Sequence, residues 1–140
     1  MKISEIMTTN VIRAQESTTV QEASDKFTEH GIHHIPVVDA NDRLVGILSD
    51  RDVVRNISPF LGTEQEREQD LETMSLPVSS IMTTDPITIT EDSRIDTASI
   101  LLLEHNFSCL PVMDDDDDTL VGILTWKDLL NYYVYSASNI

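Results

Sequence analysis

The sequence predicts an α/β protein built from one β-α-β-β-α unit written twice. Two observations carry this: a repeat that runs most of the chain's length, and a pattern of strands and helices that agrees between its copies. Ile3-Ser4-Glu5-Ile6-Met7-Thr8-Thr9 is matched by Val78-Ser79-Ser80-Ile81-Met82-Thr83-Thr84 at an offset of 75 residues. At the same offset Glu16 meets Glu91, Ala23 meets Ala98, Glu29-His30 meets Glu104-His105, and Ile35-Pro36-Val37 meets Leu110-Pro111-Val112. After one extra residue in an acidic run, Leu44-Val45-Gly46-Ile47-Leu48-Ser49 is matched by Leu120-Val121-Gly122-Ile123-Leu124-Thr125, and Asp52 by Asp128. Fixed-period self-similarity of this extent marks a duplicated structural unit.

The elements follow in order. A short extended piece around Ile12 to Ala14, and around Ile87 to Ile89 in the second copy, precedes a helix. Val20, Ala23 and Phe27 (Ile95, Ala98 and Leu102) fall on one face of that helix, which is expected to pack inward. Gly31 and Asn106 are the residue types that most readily take the left-handed conformation ending a helix, and each is followed by an apolar anchor, Ile32 or Phe107. Next come two apolar runs, Ile35 to Val38 and Leu44 to Leu48 (Leu110 to Met113 and Leu120 to Leu124). The turn-rich segments 39–43 and 114–118 separate them, which reads as a hairpin. A second helix is expected to begin at Ser49 and at Thr125. The stretch from Pro59 to Pro77, rich in Glu and Asp, reads as a solvated connector with some helix. Each half is too small to bury its sheet alone and is expected to pack against its twin.

Composition bounds the function. Of 140 residues, 40% are hydrophobic, enough for a packed core. The net charge of −16 repels nucleic-acid phosphates and anionic lipid, so neither is expected as a partner. A small anion held by local donors stays compatible with it, because a distant field is screened. The single cysteine, Cys109, has no internal disulfide partner, and the first residues lack the apolar core of a signal peptide. The densest aliphatic run, Ile100 to Leu103, is too short to span a bilayer. A cytoplasmic location is the expectation.

The chemistry concentrates at Gly46-Ile47-Leu48-Ser49-Asp50-Arg51-Asp52 and its twin Gly122-Ile123-Leu124-Thr125-Trp126-Lys127-Asp128. A Ser or Thr three residues before an acid at a strand-to-helix junction is a capping box, in which both side chains satisfy orphan N–H groups. The same junction suits a ligand, since a helix N-terminus attracts phosphate and a short carboxylate there accepts sugar hydroxyls. Asp is shorter than the Glu usual in a capping box, so its carboxylate is expected to stay freer, and Arg51 or Lys127 can meet a phosphate. Both readings stand at this point.

Those three motifs, the Ile-Met-Thr-Thr opening, the apolar-Pro-Val strand and the Gly-apolar-Leu-Ser/Thr-x-x-Asp closing, occur in order in both halves. Together they resemble the cystathionine β-synthase (CBS) domain pair. The connector Ser58-Pro59-Phe60-Leu61-Gly62-Thr63 is similar to that of small bacterial CBS-pair proteins of the acetoin-utilisation protein B type. The resemblance implies two tandem β-α-β-β-α CBS repeats packed with pseudo-twofold symmetry: repeat 1 over residues 1–58, the acidic connector over 59–77 and repeat 2 over 78–140. It implies two clefts between the halves that take AMP, ADP, ATP or S-adenosylmethionine. Carried over, Asp52 and Asp128 hold ribose, with Ser49 and Thr125 near ribose or phosphate. The adenine contacts become Thr8, Thr9, Val11 and Ile12 with His34, Ile35 and Pro36, and Thr83, Thr84, Pro86 and Ile87 with Cys109, Leu110 and Pro111. Trp126, where the first copy has Asp50, implies that the two clefts differ.

Other clusters carry less. His33 and His34 point to opposite faces of a strand, and no suitably spaced ligand joins them, so no metal site is expected. His30 and His105 finish helices, where a cation suits the dipole. The acidic run from Asp114 to Asp118 lacks the alternation and central Gly of a calcium loop and reads as a solvated turn. Cys109 reads as a buried thiol, and Met7 and Met82 as core residues. No nucleophile and base pair or phosphate-cradling Gly-rich loop is present, so no enzyme activity and no required cofactor are expected. The leading expectation is a regulatory module that binds an adenine nucleotide and signals to an unknown protein. The alternatives are a structural dimerisation module with empty clefts and an S-adenosylmethionine sensor. A homodimer is expected through Trp126, Leu129, Leu130, Tyr132, Tyr133 and Tyr135.

Overall fold

The computed structural model describes residues 1–57 and 60–138, so Ser58 and Pro59 of the connector lie outside the described residues. The chain divides into two compact units, one formed by Ile12–Asp85 and the other by Met1–Val11 together with Pro86–Ile140.

In the first unit β1 (Ala14–Gln15) leads to α1 (Val20–His30), β2 (His34–Val38), β3 (Leu44–Ser49), α2 (Asp50–Asn56), α3 (Glu68–Ser75) and β4 (Thr83–Thr84). The strands lie in the order β1-β2-β3-β4, with β1 parallel to β2 and the other pairs antiparallel. The second unit repeats the plan with β5 (Ile89–Thr90), α4 (Ile95–His105), β6 (Cys109–Met113), β7 (Leu120–Thr125) and α5 (Trp126–Ser138), in the strand order β5-β6-β7.

The expected helices and hairpins form, with the expected ends. Val20, Ala23 and Phe27 are buried along α1, as are Ile95, Ala98 and Leu102 along α4. Gly31 (φ 62°) and Asn106 (φ 56°) both take the left-handed conformation. The anchor N–H beyond each closes the helix, Ile32 donating to Phe27 O and Phe107 to Leu102 O, both at 3.2 Å. The turn at 114–118 is held by the Asp114 carboxylate, which accepts the N–H groups of Asp116 and Asp117 at 2.7 and 3.1 Å. Part of the connector is helical, as α3.

Two expectations shift. The short first strand of each unit is Ala14–Gln15 or Ile89–Thr90, about two residues later than the sequence suggests. The parallel register Ala14↔Val37 and Ile89↔Val112 explains this, since it places the buried Ala14 and Ile89 side chains over the core and leaves Ile12 and Ile87 before the ladder. Of the aromatic and aliphatic tail, Leu129 is buried in the core of its own unit, while Leu130, Tyr133, Val134 and Tyr135 are exposed.

The opening motifs are exchanged between the sequence copies. Thr83 and Thr84, which open the second copy, form β4 against Ile47 and Gly46 of the first copy's closing strand. Thr8, which opens the first copy, bridges Ile123 of the second copy's closing strand, with both backbone hydrogen bonds at 2.9 Å. The same offset relates the bonds that tie each opening down. Ile3 N–H donates to Ser93 O at 2.9 Å and Val78 N–H to Thr18 O at 2.7 Å.

Glycine is required where each opening crosses the closing strand. A Cβ at Gly46 would stand 2.5 Å from Met82 Sδ and 2.9 Å from the Thr83 carbonyl oxygen; at Gly122 the corresponding distances are 2.6 Å to Met7 Sδ and 2.9 Å to Thr8 O. Met7 and Met82 pack against the cores, as their reading from sequence required. Among the described residues no helix is long and apolar enough to cross a membrane. Because the Thr83 backbone lies against Gly46, Gly46→Ala is expected to lower unfolding free energy by about 1–3 kcal/mol, measured by urea denaturation. A change below about 0.5 kcal/mol would show that the opening strand yields freely.

Candidate functional site

Each unit holds one closing Asp, but the expected adenine sets are divided: Thr8, Thr9 and Val11 belong to the unit of Cys109, Leu110 and Asp128, and Thr83 and Thr84 to that of His34, Ile35 and Asp52. In the first unit β2 runs antiparallel to β3 with His34 opposite Ser49 and Ile35 opposite Leu48. Ser49 is the N-cap of α2. Its Oγ accepts Asp52 N–H at 3.1 Å, and Asp52 Oδ2 accepts Ser49 N–H at 2.8 Å. The capping box is therefore complete. This corrects the expectation that the shorter Asp leaves its carboxylate free, since a tight strand-to-helix turn brings the Ser49 amide within its reach. The engagement is one-sided: it uses Oδ2, and no other hydrogen bond to the Asp52 carboxylate occurs among the described residues.

The second unit repeats the set with Cys109 opposite Thr125. Asp128 Oδ2 accepts Thr125 N–H at 3.0 Å and the Thr125 hydroxyl at 3.2 Å, while Asp128 N–H donates back to Thr125 Oγ1 at 3.4 Å. A third donor joins here, the Thr8 hydroxyl, which lies 3.2 Å from Asp128 Oδ1 and 3.4 Å from Oδ2. The structure thus joins the opening of the first copy to the closing acid of the second, a link that the linear order of motifs does not suggest.

The remaining candidates divide by burial. Ile35, Pro36, Leu110 and Pro111 are buried within their units, so any ligand contact from them is through backbone. Their strand edge permits that in part: β1 pairs only with Val37 and Val38, β5 only with Val112 and Met113, and strand pairing on that edge stops before the proline. Thr8, Thr9, Arg51, Thr83, Thr84, Ile87 and Lys127 are exposed, and Val11, Ile12 and Pro86 half-buried.

The two sets differ in charge. Burial is the main influence on the half-buried His34 imidazole and pulls its pKa below the ordinary value, against the opposing pull of Asp50. Next to it, His33 Nδ1 lies 2.8 Å from Asp50 Oδ2. At the equivalent place in the second unit, burial and then the Asp128 carboxylate push the Cys109 thiol pKa far up, so it stays protonated and poorly nucleophilic. Trp126, which replaces Asp50, donates its indole N–H to Phe107 O at 2.9 Å, which fixes the ring at the start of α5. Sequence reasoning missed the His33–Asp50 pair, although its signal was present as a histidine just before the strand and an acid just after its partner. Among the described residues no group of three or more His, Cys, Asp or Glu is placed to hold a metal ion.

Comparison with known proteins identifies the family. A model of the CBS domain matches residues 3–59 and again residues 78–135. The chain belongs to the CBS domain family. These matches follow the linear repeats, whereas each compact unit combines the opening of one repeat with the closing motif of the other. A CBS domain-containing protein of Dictyostelium discoideum is 34% identical over 134 residues, covering 94% of this chain and 90% of that protein. A homoserine O-acetyltransferase of Methanocorpusculum labreanum is 33% identical over 129 residues, but the chain spans only 23% of that enzyme's length. Among solved structures, a protein of Vibrio cholerae provisionally assigned as acetoin utilization protein AcuB superposes with a TM-score of 0.82 at 26% identity, over 99% of this chain and 93% of that one. CBSX2 of Arabidopsis thaliana in complex with AMP gives 0.80 at 29% identity, over 97% and 98%. The CBS domain pair of protein MJ0100, in complex with 5′-methylthioadenosine and S-adenosylmethionine, gives 0.78 at 27%, over 97% and 98%.

The His34 environment has a pH consequence. A histidine whose folded pKa is lowered leaves the unfolded chain with more bound protons as pH falls through about 6.5. Stability is then present above that value and declines below it. The urea midpoint of the wild-type protein is expected to drop more between pH 7.5 and 5.5 than that of His34→Gln. An equal drop in both would remove His34 from the pH dependence.

Proposed function

We propose that this CBS-pair chain is a non-catalytic regulatory module that binds an adenine nucleotide at each closing motif and passes its occupancy to a protein partner. The observation that carries this reading is the carboxylate at the start of α2. Asp52 is held by its own cap through one oxygen and offers the other, beside Ser49 and His34 and at the positive end of a helix dipole. A ribose diol needs such an acceptor, and a 5′-phosphate needs a cation such as Arg51 at the same helix end. Support comes from the similarity to proteins solved with AMP and with S-adenosylmethionine. S-adenosylmethionine is the second ligand to test, because it presents the same ribose with a cation in place of phosphate. A purely structural module is the contrary reading, and the completed capping boxes favour it to the extent that they account for both acids without a ligand.

Dimerisation belongs to the same reading. Ile100, Leu103, Leu130, Tyr133 and Val134 are exposed on α4 and α5 of one unit, where Ser99 Oγ meets Tyr133 Oη at 3.1 Å. Light scattering at tens of micromolar protein is expected to give the mass of a dimer, and a monomer mass would contradict it.

For the ligand, AMP at a hundred times its dissociation constant adds about 2.7 kcal/mol to the native state and is expected to raise the melting temperature by roughly 5–10 °C. Flat melting curves with AMP, ADP, ATP and S-adenosylmethionine would leave the structural reading in place. Asp52→Ala and Asp128→Ala each remove charge-assisted hydrogen bonds and are expected to weaken binding at their own site roughly 10- to 150-fold by calorimetry. The fold survives, since losing a cap costs about 1 kcal/mol. Arg51→Ala is expected to weaken AMP much more than adenosine, because a guanidinium grips phosphate through two parallel hydrogen bonds. Equal losses for both ligands would remove the phosphate role.

A further inference from the structure

The two closing carboxylates carry different loads. An ionised carboxylate accepts about four hydrogen bonds. Asp52 accepts one among the described residues, from Ser49 N–H, which leaves room for both hydroxyls of a ribose. Asp128 faces three donors, Thr125 N–H, the Thr125 hydroxyl and the Thr8 hydroxyl, which leaves room for one. The additional donor is not a mobile side chain. Thr8 N–H and C=O are both bonded to Ile123 at 2.9 Å, and the preceding Met7 packs against Gly122, so the backbone delivers the hydroxyl to the carboxylate. A β-branched side chain has few rotamers with which to leave. Its sequence equivalent, Thr83, is held by the same kind of strand pairing to Ile47, yet makes no hydrogen bond to Asp52 among the described residues.

We propose that Thr8 sets the order in which the two sites fill: its hydroxyl occupies Asp128 as an internal competitor, so the Asp52 site takes a ribose first and the Asp128 site takes one only when Thr8 yields. This rests on the reading of Asp52 and Asp128 as ribose acceptors and adds a specificity-determining residue to it. The competitor belongs to the N-terminal opening, so filling the second site disturbs the contact that holds this segment to α5, whereas filling the first leaves it in place. One chain thereby has two ligand-dependent states in sequence rather than one.

The molecule contains its own site-selective reporter. Trp126 is the single tryptophan of the chain, two residues before Asp128 at the start of α5 and fixed by its bond to Phe107 O. Adenosine titrated into the full chain is followed in parallel by calorimetry, which reads both sites, and by Trp126 fluorescence, which reads the Asp128 site. In the wild-type protein the fluorescence change is expected to lag the heat and to develop with the second equivalent. Thr8→Val removes the hydroxyl at nearly constant shape and is expected to tighten the fluorescence-detected phase roughly 2- to 12-fold, the effect of one deleted hydrogen bond. Thr8→Ser restores the donor and the lag. In an Asp52→Ala background only the Asp128 phase remains, and the Thr8→Val gain is expected to persist there. A fluorescence change that develops with the first equivalent in wild type, or a Thr8→Val phase that is unchanged or weaker, overturns the competitor role while leaving the ribose reading intact. No heat with adenosine, AMP or S-adenosylmethionine overturns both.

Discussion

The close approach of each opening segment to the closing strand of the other copy is the constraint on which the rest of the structure depends. At Gly46 and Gly122 the passing carbonyl comes so near that no side chain fits, and Met82 and Met7 fill the space beside it. The consequence is topological. Each compact unit needs residues from both ends of the repeat, so neither linear copy is a complete folding unit. The strand that ends in the capping Ser or Thr is braced on one side by its hairpin partner and on the other by an opening that arrives from the other copy. In the second unit this brings the opening Thr8 hydroxyl to the closing acid, Asp128.

The closing motif shows how the arrangement that caps a helix also orients a carboxylate. A helix that begins directly at the end of a strand leaves its first N–H groups unsatisfied, and the Ser49–Asp52 and Thr125–Asp128 boxes satisfy some of them. The same turn fixes the carboxylate in one orientation before any ligand arrives, so little side-chain entropy remains to be lost on binding. The cap would hold the carboxylate in place for a ligand as well as for the helix, so the two readings of the motif are less opposed than they look in sequence.

Most of the fold was legible because its signals were local and doubled. Helix faces, the left-handed stops at Gly31 and Asn106 and the hairpins all follow from residue type at fixed spacing, and agreement between two copies removes most accidental patterns. The short strands were misplaced by two residues because two-residue ladders are set by their parallel partner, a non-local term that Ile12 and Ile87 do not reveal. Leu129 was grouped with the exposed tail because it sits among aromatic residues; the helix periodicity turns it inward with Leu124 and Leu102. The candidate site residues were suggested by motif resemblance. Their grouping was not, since the bond from Thr8 to Asp128 crosses 120 residues and depends on the exchange of openings.

The differences between the copies then acquire meaning, because a shared backbone isolates the effect of each side chain. Where the first unit places His34, Asp50 and Arg51 around its acid, the second places Cys109, Trp126 and Lys127. The first set is titratable and charged, with a His33–Asp50 pair at its rim; the second is a buried thiol and an indole fixed to backbone. On the outer helices the change runs the same way, with Asp25 and Thr28 of α1 answered by the exposed Ile100 and Leu103 of α4. Duplication supplied two equal scaffolds, and substitution made the surroundings of one acid more polar and those of the other more apolar. A chain with a net charge of −16 has few surfaces on which a like-charged copy can approach. The stretch from Ile100 to Leu103, with Ile100 and Leu103 exposed, carries no charge. The exposed apolar residues of α4 and α5 and the acid bonded by Thr8 thus belong to the same unit.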